Sequence, residues 1–217
     1  MAMQRVAVVD YGGSNLRSVA KAVECAADGR HEVIVTDRAE VLRGADRVVF
    51  PGQGAIGDCM RGLEAHGLVP ALRECLATRP FFGICLGLQS LMSDSDEDGG
   101  VPCLGAFPGH VRRFRTDAGP NPDGTPRKIP HMGWNQVEWV RDHPVVHGVP
   151  GGTRFYFVHS YYVVPDDPAV ALGRTDYIDP FVSALASGCV FATQFHPEKS
   201  AAAGLQLLRN FLDWKGT

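Results

Sequence analysis

The chain has 217 residues, of which 45% are hydrophobic, and 21 Lys and Arg residues against 24 Asp and Glu residues give a formal net charge of −3. This length suffices for one well-buried core, and we expect a single domain over residues 1–217. The sequence contains no basic block that could neutralise a run of phosphates, which argues against a nucleic-acid partner.

The N-terminal segment MAMQRVAVVD leads directly into a strand-like pattern, without the basic and apolar regions of a signal peptide. No apolar run approaches the roughly 20 residues that a membrane helix needs. We therefore expect a cytoplasmic protein with no membrane partner.

The first third of the chain alternates short apolar runs with helical periodicity. Strands are predicted at residues 5–10, 31–35 and 46–50, with a helix at 15–27. A helical pattern over 58–78 then precedes a short, fully apolar strand at 80–84. This alternation is typical of βαβ units and a parallel sheet.

The second half has a different character. The acidic, Gly-rich stretch SDSDEDGG (93–100) is predicted to be a solvated loop, and TDAGPNPDGTPRK (116–128) an exposed turn. The other predicted elements are short strands at 104–114, 136–140, 155–160, 169–174, 182–186 and 189–193 and a closing helix at 201–214. We predict an α/β fold with an open, mostly parallel sheet flanked by helices and a smaller antiparallel strand region.

Six cysteines are spread singly along the chain, with no CxxC or Cys/His ligand pair, so we expect buried free thiols, no metal and no cofactor. Cys85 stands apart because it occurs in FFGICLGLQS, an apolar strand followed by Gly-Ile-Cys-Leu-Gly and a helical start. This is the pattern of a nucleophile elbow, in which Gly83 and Gly87 allow neighbouring backbone to pass close to a strained nucleophile. A helix amino terminus there favours the thiolate. The same glycines would also suit a tight turn around an inert buried cysteine.

A general base is needed for a cysteine nucleophile, and eight histidines are available. Five lie in polar or turn-rich contexts and are predicted at the surface or in loops: His31, His66, His110, His143 and His147. His196 instead follows an apolar strand, in TQFHPEKS. In an extended segment His196 and Glu198 point to the same side, so the carboxylate could orient the imidazole.

An oxyanion hole completes such a site. One donor is the backbone N–H after the nucleophile, here that of Leu86, and the second is expected from the loop after a neighbouring strand. The segment VVFPGQG (48–54) has this form, although its Pro-Gly pair could be an ordinary turn.

These three segments, in this order, resemble the class I (triad) glutamine amidotransferases. The resemblance implies a flavodoxin-like open sheet and Cys85 as nucleophile, with His196 as base and Glu198 as its orienter. It also implies Gly52 and Leu86 as oxyanion donors. Glutamine would be the substrate, with Gln89 holding its amino-acid part.

Further motifs narrow the resemblance to the glutaminase subunits of imidazole glycerol phosphate synthase: DYGGSNLRSV, PGQGAIGDCM, PHMGWN and YFVHSYY. The resemblance implies that Ser160 and Tyr161 line the glutamine site. It also implies that four residues face a synthase partner: Asn15, Trp134, Tyr156 and Lys199. Trp134 and Tyr156 could instead be aromatic residues of the core.

The partner that this resemblance implies is a (β/α)8-barrel cyclase, which would use the ammonia in histidine synthesis as half of a heterodimer. Glutaminase activity would then be low in the isolated chain. Two positions depart from the family pattern, with Ser14 in place of a common Gly and Gln53 in place of a frequent Val. Ser14 affects the geometry of the first loop, whereas Gln53 leaves the backbone donors available.

Three other functions fit parts of the pattern. The chain could supply ammonia for pyridoxal phosphate or anthranilate synthesis, but those subunits do not share PHMGWN and YFVHSYY. A flavodoxin-like regulatory module with a relic site is opposed by the intact Cys85, His196 and Glu198. A general cysteine hydrolase would act on other amides or esters.

Overall fold

A computed structural model describes residues 3–13, 15–117, 119, 124 and 128–216. Its strands follow one another along the chain as β1 (Gln4–Val9), β2 (His31–Thr36), β3 (Arg47–Gly52), β4 (Phe81–Cys85), β5 (Asp94–Ser95), β6 (Val101–Pro102), β7 (Gly109–Arg113), β8 (His131–Trp139), β9 (Thr153–His159), β10 (Tyr161–Pro165), β11 (Ala171–Asp176), β12 (Pro180–Ser187) and β13 (Val190–Thr193). The α-helices are α1 (Leu16–Ala27), α2 (Ala39–Arg43), α3 (Ile56–Ala65), α4 (Val69–Thr78), α5 (Leu86–Gln89) and α6 (Ala201–Asp213). Single 3₁₀ turns occupy Glu97–Gly99, Pro144–Val146, Pro168–Val170 and Pro197–Lys199.

The sheet has a parallel half and an antiparallel half. Strands β2, β1, β3, β4 and β13 lie side by side in parallel. Beyond β13 the neighbours β12, β10 and β7 run antiparallel, and β11 and the β8–β9 hairpin branch from β12. The predicted α/β fold with a parallel sheet and an additional antiparallel region is therefore confirmed, although the antiparallel region is not the smaller of the two in the part of the chain that the structure describes.

The parallel strands are buried on both faces, as their apolar sequences require. Every residue of β3 and of β4 is buried. Successive side chains alternate between two layers, so that Phe50 packs with α2, α3 and α4, whereas Val49 packs with α1 and α6. Helices thus cover both faces and leave the carboxyl ends of β3 and β4 at one edge.

Arg47, at the start of β3, is a buried charge that ties the end of the chain to the sheet. Its Nη1 donates to the carbonyl oxygens of Phe211 and Trp214 at the carboxyl end of α6. The carbonyls at a helix end lack intrahelical partners, and the guanidinium satisfies two of them. No helix in the described part of the chain is long and apolar enough to cross a membrane.

Several predicted elements differ from those observed. The helical pattern over 58–78 is two helices, because Gly67 turns the chain with a φ of +64° between α3 and α4. The strand predicted at 104–114 covers only β7, since Gly105 and the Pro108 region break the run. The predicted loop 93–100 contains β5 and a 3₁₀ turn. Part of the predicted turn 116–128, including residues 120–123 and 125–127, lies outside the described residues.

Candidate active site

Cys85 lies at the junction of β4 and α5 in a strained conformation. Its φ of 54° and ψ of −103° fall outside the regions that non-glycine residues prefer. A Cβ at Gly87 would overlap the carbonyl oxygen of Phe50, and one at Gly83 would lie 2.9 Å from the carbonyl oxygen of Gly87. The close approach of backbone that the glycine spacing predicts is therefore present. Because α5 has only four residues, its dipole contributes less to thiolate stability than the sequence suggests.

His196 and Glu198 form a buried pair. Nδ1 of His196 lies 2.8 Å from Oε1 of Glu198, and both side chains are 1% exposed. The predicted pairing is present, but strand alternation does not cause it. Pro197 starts a 3₁₀ turn, and this turn brings the carboxylate back to the imidazole.

The imidazole of His196 interacts with Cys85 as well as with Glu198. Burial lowers its pKa, but the neighbouring Cys85 and Glu198 outweigh burial and raise the pKa to about 10. Nε2 is buried without a hydrogen-bond partner among the described residues. The surroundings of His196 thus favour its protonated form.

Asn15 contacts the same pair. Its Nδ2 donates to Oε1 of Glu198 at 2.8 Å, from a residue in left-handed conformation just before α1. The sequence predicts Asn15 at the partner surface, and the structure places its amide on the carboxylate. Ser14, which precedes it, lies outside the described residues.

The segment predicted for the second oxyanion donor lies directly beside the nucleophile. Gly52 is the register partner of Cys85 across β3 and β4. A Cβ at Gly52 would lie 2.7 Å from Cβ of Leu86 and 2.8 Å from the hydroxyl of Tyr11, so only glycine fits. Gln53 follows and lines the cavity next to Cys85. The structure thus brings both predicted donor residues, Gly52 and Leu86, next to Cys85.

A cavity of about 390 Å³ opens over Cys85. Seven residues that the sequence assigns to catalysis, to the oxyanion hole, to glutamine binding or to partner contacts line it: Cys85, Leu86, Gln89, Tyr156, Ser160, Tyr161 and Lys199. Tyr156 and Lys199, which the resemblance places toward a partner, thus also line this cavity. Trp134 does not line the cavity; it is 45% exposed and packs edge-to-face on Tyr156.

Gln89 is held by two hydrogen bonds from its Nε2. One runs to the carbonyl oxygen of Tyr161 at 2.9 Å and the other to Oε1 of Gln194 at 3.2 Å. Gln194 is fully buried, and its own Nε2 lies 3.6 Å from Sγ of Cys85. No sequence pattern singled out Gln194, although it precedes His196 by two residues.

Glu97 is a second residue of the site that sequence patterns missed. It belongs to the acidic stretch predicted as a solvated loop, yet it lines the cavity. Its Oε2 accepts a hydrogen bond from the backbone N–H of Ile56 at 2.9 Å. Burial raises its pKa in spite of that bond. This carboxylate can pair with an ammonium group in the cavity.

A larger depression of about 1110 Å³ lies at the opposite edge of the sheet, lined by Trp139, His143 and Trp214 among others. It contains neither a nucleophile nor a member of the His196 pair. His143, predicted in a surface or loop context, is half-buried there and stacks on Phe191. Burial lowers its pKa to about 4. The smaller cavity over Cys85 is therefore the candidate active site.

Comparison with known proteins assigns the family. A sequence model described as Glutamine amidotransferase class-I matches residues 7–214. The chain belongs to the class-I glutamine amidotransferase family. Among curated relatives, this amidotransferase is similar to imidazole glycerol phosphate synthase subunit HisH of Nitrosococcus oceani, with 55% identity over 99% of both chains. It is 52% identical to the HisH subunit of Pseudomonas putida, again over 99% of each chain.

Solved structures show the same fold at low sequence identity. A putative GMP synthase subunit from Thermoplasma acidophilum superposes with a TM-score of 0.70 at 19% identity, covering 98% of this amidotransferase and 94% of that chain. The glutaminase domain of Trypanosoma brucei CTPS has a TM-score of 0.61 at 18% identity, covering 99% and 96%. Both support the α/β fold.

Proposed function

We propose that this chain is the glutaminase subunit of an imidazole glycerol phosphate synthase and that Cys85, His196 and Glu198 perform the hydrolysis. The Cys85 thiolate attacks Cδ of glutamine, and the C–N bond breaks as the His196 imidazolium gives its proton to the leaving nitrogen. Ammonia departs and a thioester remains. His196 then takes a proton from water, the resulting hydroxide attacks the thioester carbon, and glutamate leaves as the thiolate is restored.

One observation carries this mechanism: His196 is buried between a carboxylate and the sulfur of a strained cysteine. A histidine buried for packing alone would be held neutral by desolvation. Here the two acidic groups reverse that effect, which is what a thiolate–imidazolium nucleophile requires. Gly52 and Leu86 would supply backbone N–H groups to the oxyanion.

The rest of the cavity suits the amino-acid end of glutamine. Glu97 would pair with the α-ammonium group, and the free carbonyl side of the Gln89 amide would accept a second bond from it. Ser160 and Tyr161 form another wall. A volume of about 390 Å³ matches a small polar substrate rather than a polymer.

The ammonia would pass to a second subunit, which we propose is a (β/α)8-barrel cyclase in a heterodimer. The curated relatives carry the word subunit in their names and match the chain along nearly its whole length. An apolar face supports docking: on the outer side of β8, Met132 is 63% and Trp134 45% exposed. Next to them Nζ of Lys199 lies 5.9 Å from the centroid of the Tyr156 ring. The proposed complex acts in the cytoplasm.

The test is a glutamine hydrolysis assay on the purified chain, alone and with the barrel cyclase and its nucleotide substrate. We expect slow hydrolysis by the chain alone and a strong rise in the complex, with ammonia consumed in the cyclase reaction. Full-rate hydrolysis that ignores the barrel would contradict the assignment. Turnover of unrelated amides or esters at comparable rates would indicate a general hydrolase.

A further inference from the structure

Two buried histidines outside the triad lie beside the cavity. His131 on β8 and His159 on β9 are register partners, and they are 3% and 6% exposed. Nδ1 of His131 lies 3.0 Å from Nε2 of His159. His159 lines the cavity, yet neither residue has a part in the proposed hydrolysis.

The hydrogen bonds of this pair can run in only one direction. The carbonyl oxygen of Tyr161 lies 2.7 Å from Nδ1 of His159 and can only accept, so this Nδ1 carries a proton. Nε2 of His159 is then the acceptor for the Nδ1 proton of His131. Nε2 of His131 in turn accepts from Nδ2 of Asn135 at 3.2 Å. Both rings satisfy this pattern as neutral Nδ1–H tautomers.

The surroundings of the pair favour that neutral, fixed state. Burial lowers the pKa of His131 to about 4 and, together with the charge on His131 and on His196, that of His159 to about 3. The His131 ring is stacked between two aromatic rings, with centroid distances of 4.7 Å to Phe157 and 3.9 Å to Tyr177. The stacked ring cannot rotate without breaking these contacts.

The chain of hydrogen bonds continues to the nucleophile. The Tyr161 carbonyl that accepts from His159 also accepts from Nε2 of Gln89 at 2.9 Å. The same Gln89 amide donates to Gln194 at 3.2 Å, and Gln194 lies 3.6 Å from Sγ of Cys85. Each group has one orientation that satisfies its hydrogen-bond partners. The donor and acceptor directions fixed at His131 and His159 therefore determine those of the following groups as far as Sγ of Cys85.

We propose that His131 and His159 are positioning residues for glutamine: they lock the Tyr161 carbonyl, which orients the Gln89 amide and, through Gln194, the Cys85 sulfur. This inference rests on the proposed glutaminase function. The two histidines transfer no proton and do not touch the reacting atoms. Loss of the pair should therefore weaken substrate binding and misalign the nucleophile while the triad stays intact.

The test compares His159→Phe, His159→Asn and a control, His143→Phe, in the complex with the cyclase. His143 is a half-buried histidine at the far edge of the sheet, so its change reports the loss of an imidazole and of its hydrogen bond from the Val145 N–H outside the cavity over Cys85. We expect His159→Phe to raise the KM for glutamine about tenfold or more. His159→Asn should recover most of this loss, since its amide can replace the Nδ1 donor. His143→Phe should leave KM within about twofold of wild type.

A folded His159→Phe variant with wild-type KM and kcat would overturn the inference, as would His159→Asn that is no better than His159→Phe. If His159→Phe does not fold, ¹⁵N NMR of the wild-type imidazoles decides: two neutral Nδ1–H tautomers are expected, and an Nε2–H tautomer at His159 would refute the chain of hydrogen bonds. Failure of wild type to hydrolyse glutamine in the complex would instead refute the proposed function.

Discussion

Asn15 and His196 share one oxygen atom, Oε1 of Glu198, at 2.8 Å each. The carboxylate is therefore held from two sides, by a loop before α1 and by the turn after β13. An amide is neutral and donates without competing for the histidine, so Asn15 can orient Glu198 without weakening its attraction for the imidazolium.

The first prediction changes the charge at Asn15. Asn15→Asp should lower kcat for glutamine hydrolysis by about 100-fold, because a second carboxylate repels Glu198 and competes for His196. Asn15→Gly, which tolerates the φ of 72°, should cost only about tenfold because it merely removes one hydrogen bond. Steady-state kinetics of the complex measure both. Equal losses in the two variants would contradict the electrostatic explanation.

The second prediction concerns the nucleophile. Cys85→Ser should reduce glutamine hydrolysis by about 10³-fold or more, since a hydroxyl is not ionised beside His196. Synthesis supplied with free ammonia should continue in the complex. The matched control is Cys25→Ser, at an exposed thiol on α1, which should leave both activities unchanged. Unchanged hydrolysis by Cys85→Ser would eliminate the proposed mechanism.

A third prediction follows from the high pKa of His196. Below its pKa of about 10 the imidazolium persists, and it is lost as the pH rises through that value. Acylation needs the His196 proton, so kcat/KM for glutamine should hold between about pH 7 and 9 and fall only as the pH approaches 10. Glu198→Gln should move this fall to lower pH, because it removes one of the groups that raise the pKa of His196. A wild-type kcat/KM that already falls steeply between about pH 7 and 9 would contradict the raised pKa.

Close packing at the elbow gives the fourth prediction. Gly87→Ala should lower the free energy of unfolding by about 2–3 kcal/mol, because the new Cβ would collide with the carbonyl oxygen of Phe50. Gly44→Ala is the control: its Cβ would meet Glu40 at an ordinary 3.4 Å, and its φ is −85°. Denaturant titration compares the two variants, and similar losses would show that the backbone contact is unimportant.

The fifth prediction concerns acid stability. The unfolded chain protonates imidazoles near pH 6.5, whereas His131 and His159 in the fold do so only near 4 and 3. Between these values the unfolded state holds more protons, so the free energy of unfolding falls as the pH drops from 6.5 toward 4. His159→Asn should make this slope shallower, because it removes one of the two buried imidazoles. Identical slopes for wild type and His159→Asn would contradict burial of a neutral pair.

Local patterns predict most of the elements and the strained elbow at Cys85. The G-x-C-x-G spacing predicts the elbow because Gly83 and Gly87 are needed for contacts made within a few residues or with the adjacent strand. The hydrophobic pattern does not predict β10 as a separate strand. In the run YFVHSYYVVP, Ser160 is the one small polar residue, and it separates β9, which pairs with β8, from β10, which pairs with β7. Helix α2 is missed because five residues carry too little periodicity.

Long-range contacts explain the rest of the site. Nothing local distinguishes Glu97 from its acidic neighbours, and the long-range bond from the Ile56 N–H holds its carboxylate at the cavity. His131 and His159 each resemble a single core histidine until the register of β8 and β9 pairs them. The pairing of His196 with Glu198 is predicted, but the 3₁₀ turn that produces it depends on how Pro197 packs against Gly204 of α6.

The position of β13 next to β4 has a consequence during synthesis on the ribosome. Strand β4 with Cys85 emerges well before β13, His196, Glu198 and the carboxyl end of α6 that Arg47 secures. A chain that stops before β13 therefore presents Cys85 without His196 and leaves one edge of β4 unpaired. Under the proposed mechanism such a chain would not hydrolyse glutamine, because the strand that joins β4 to β12 also leads into His196 and Glu198.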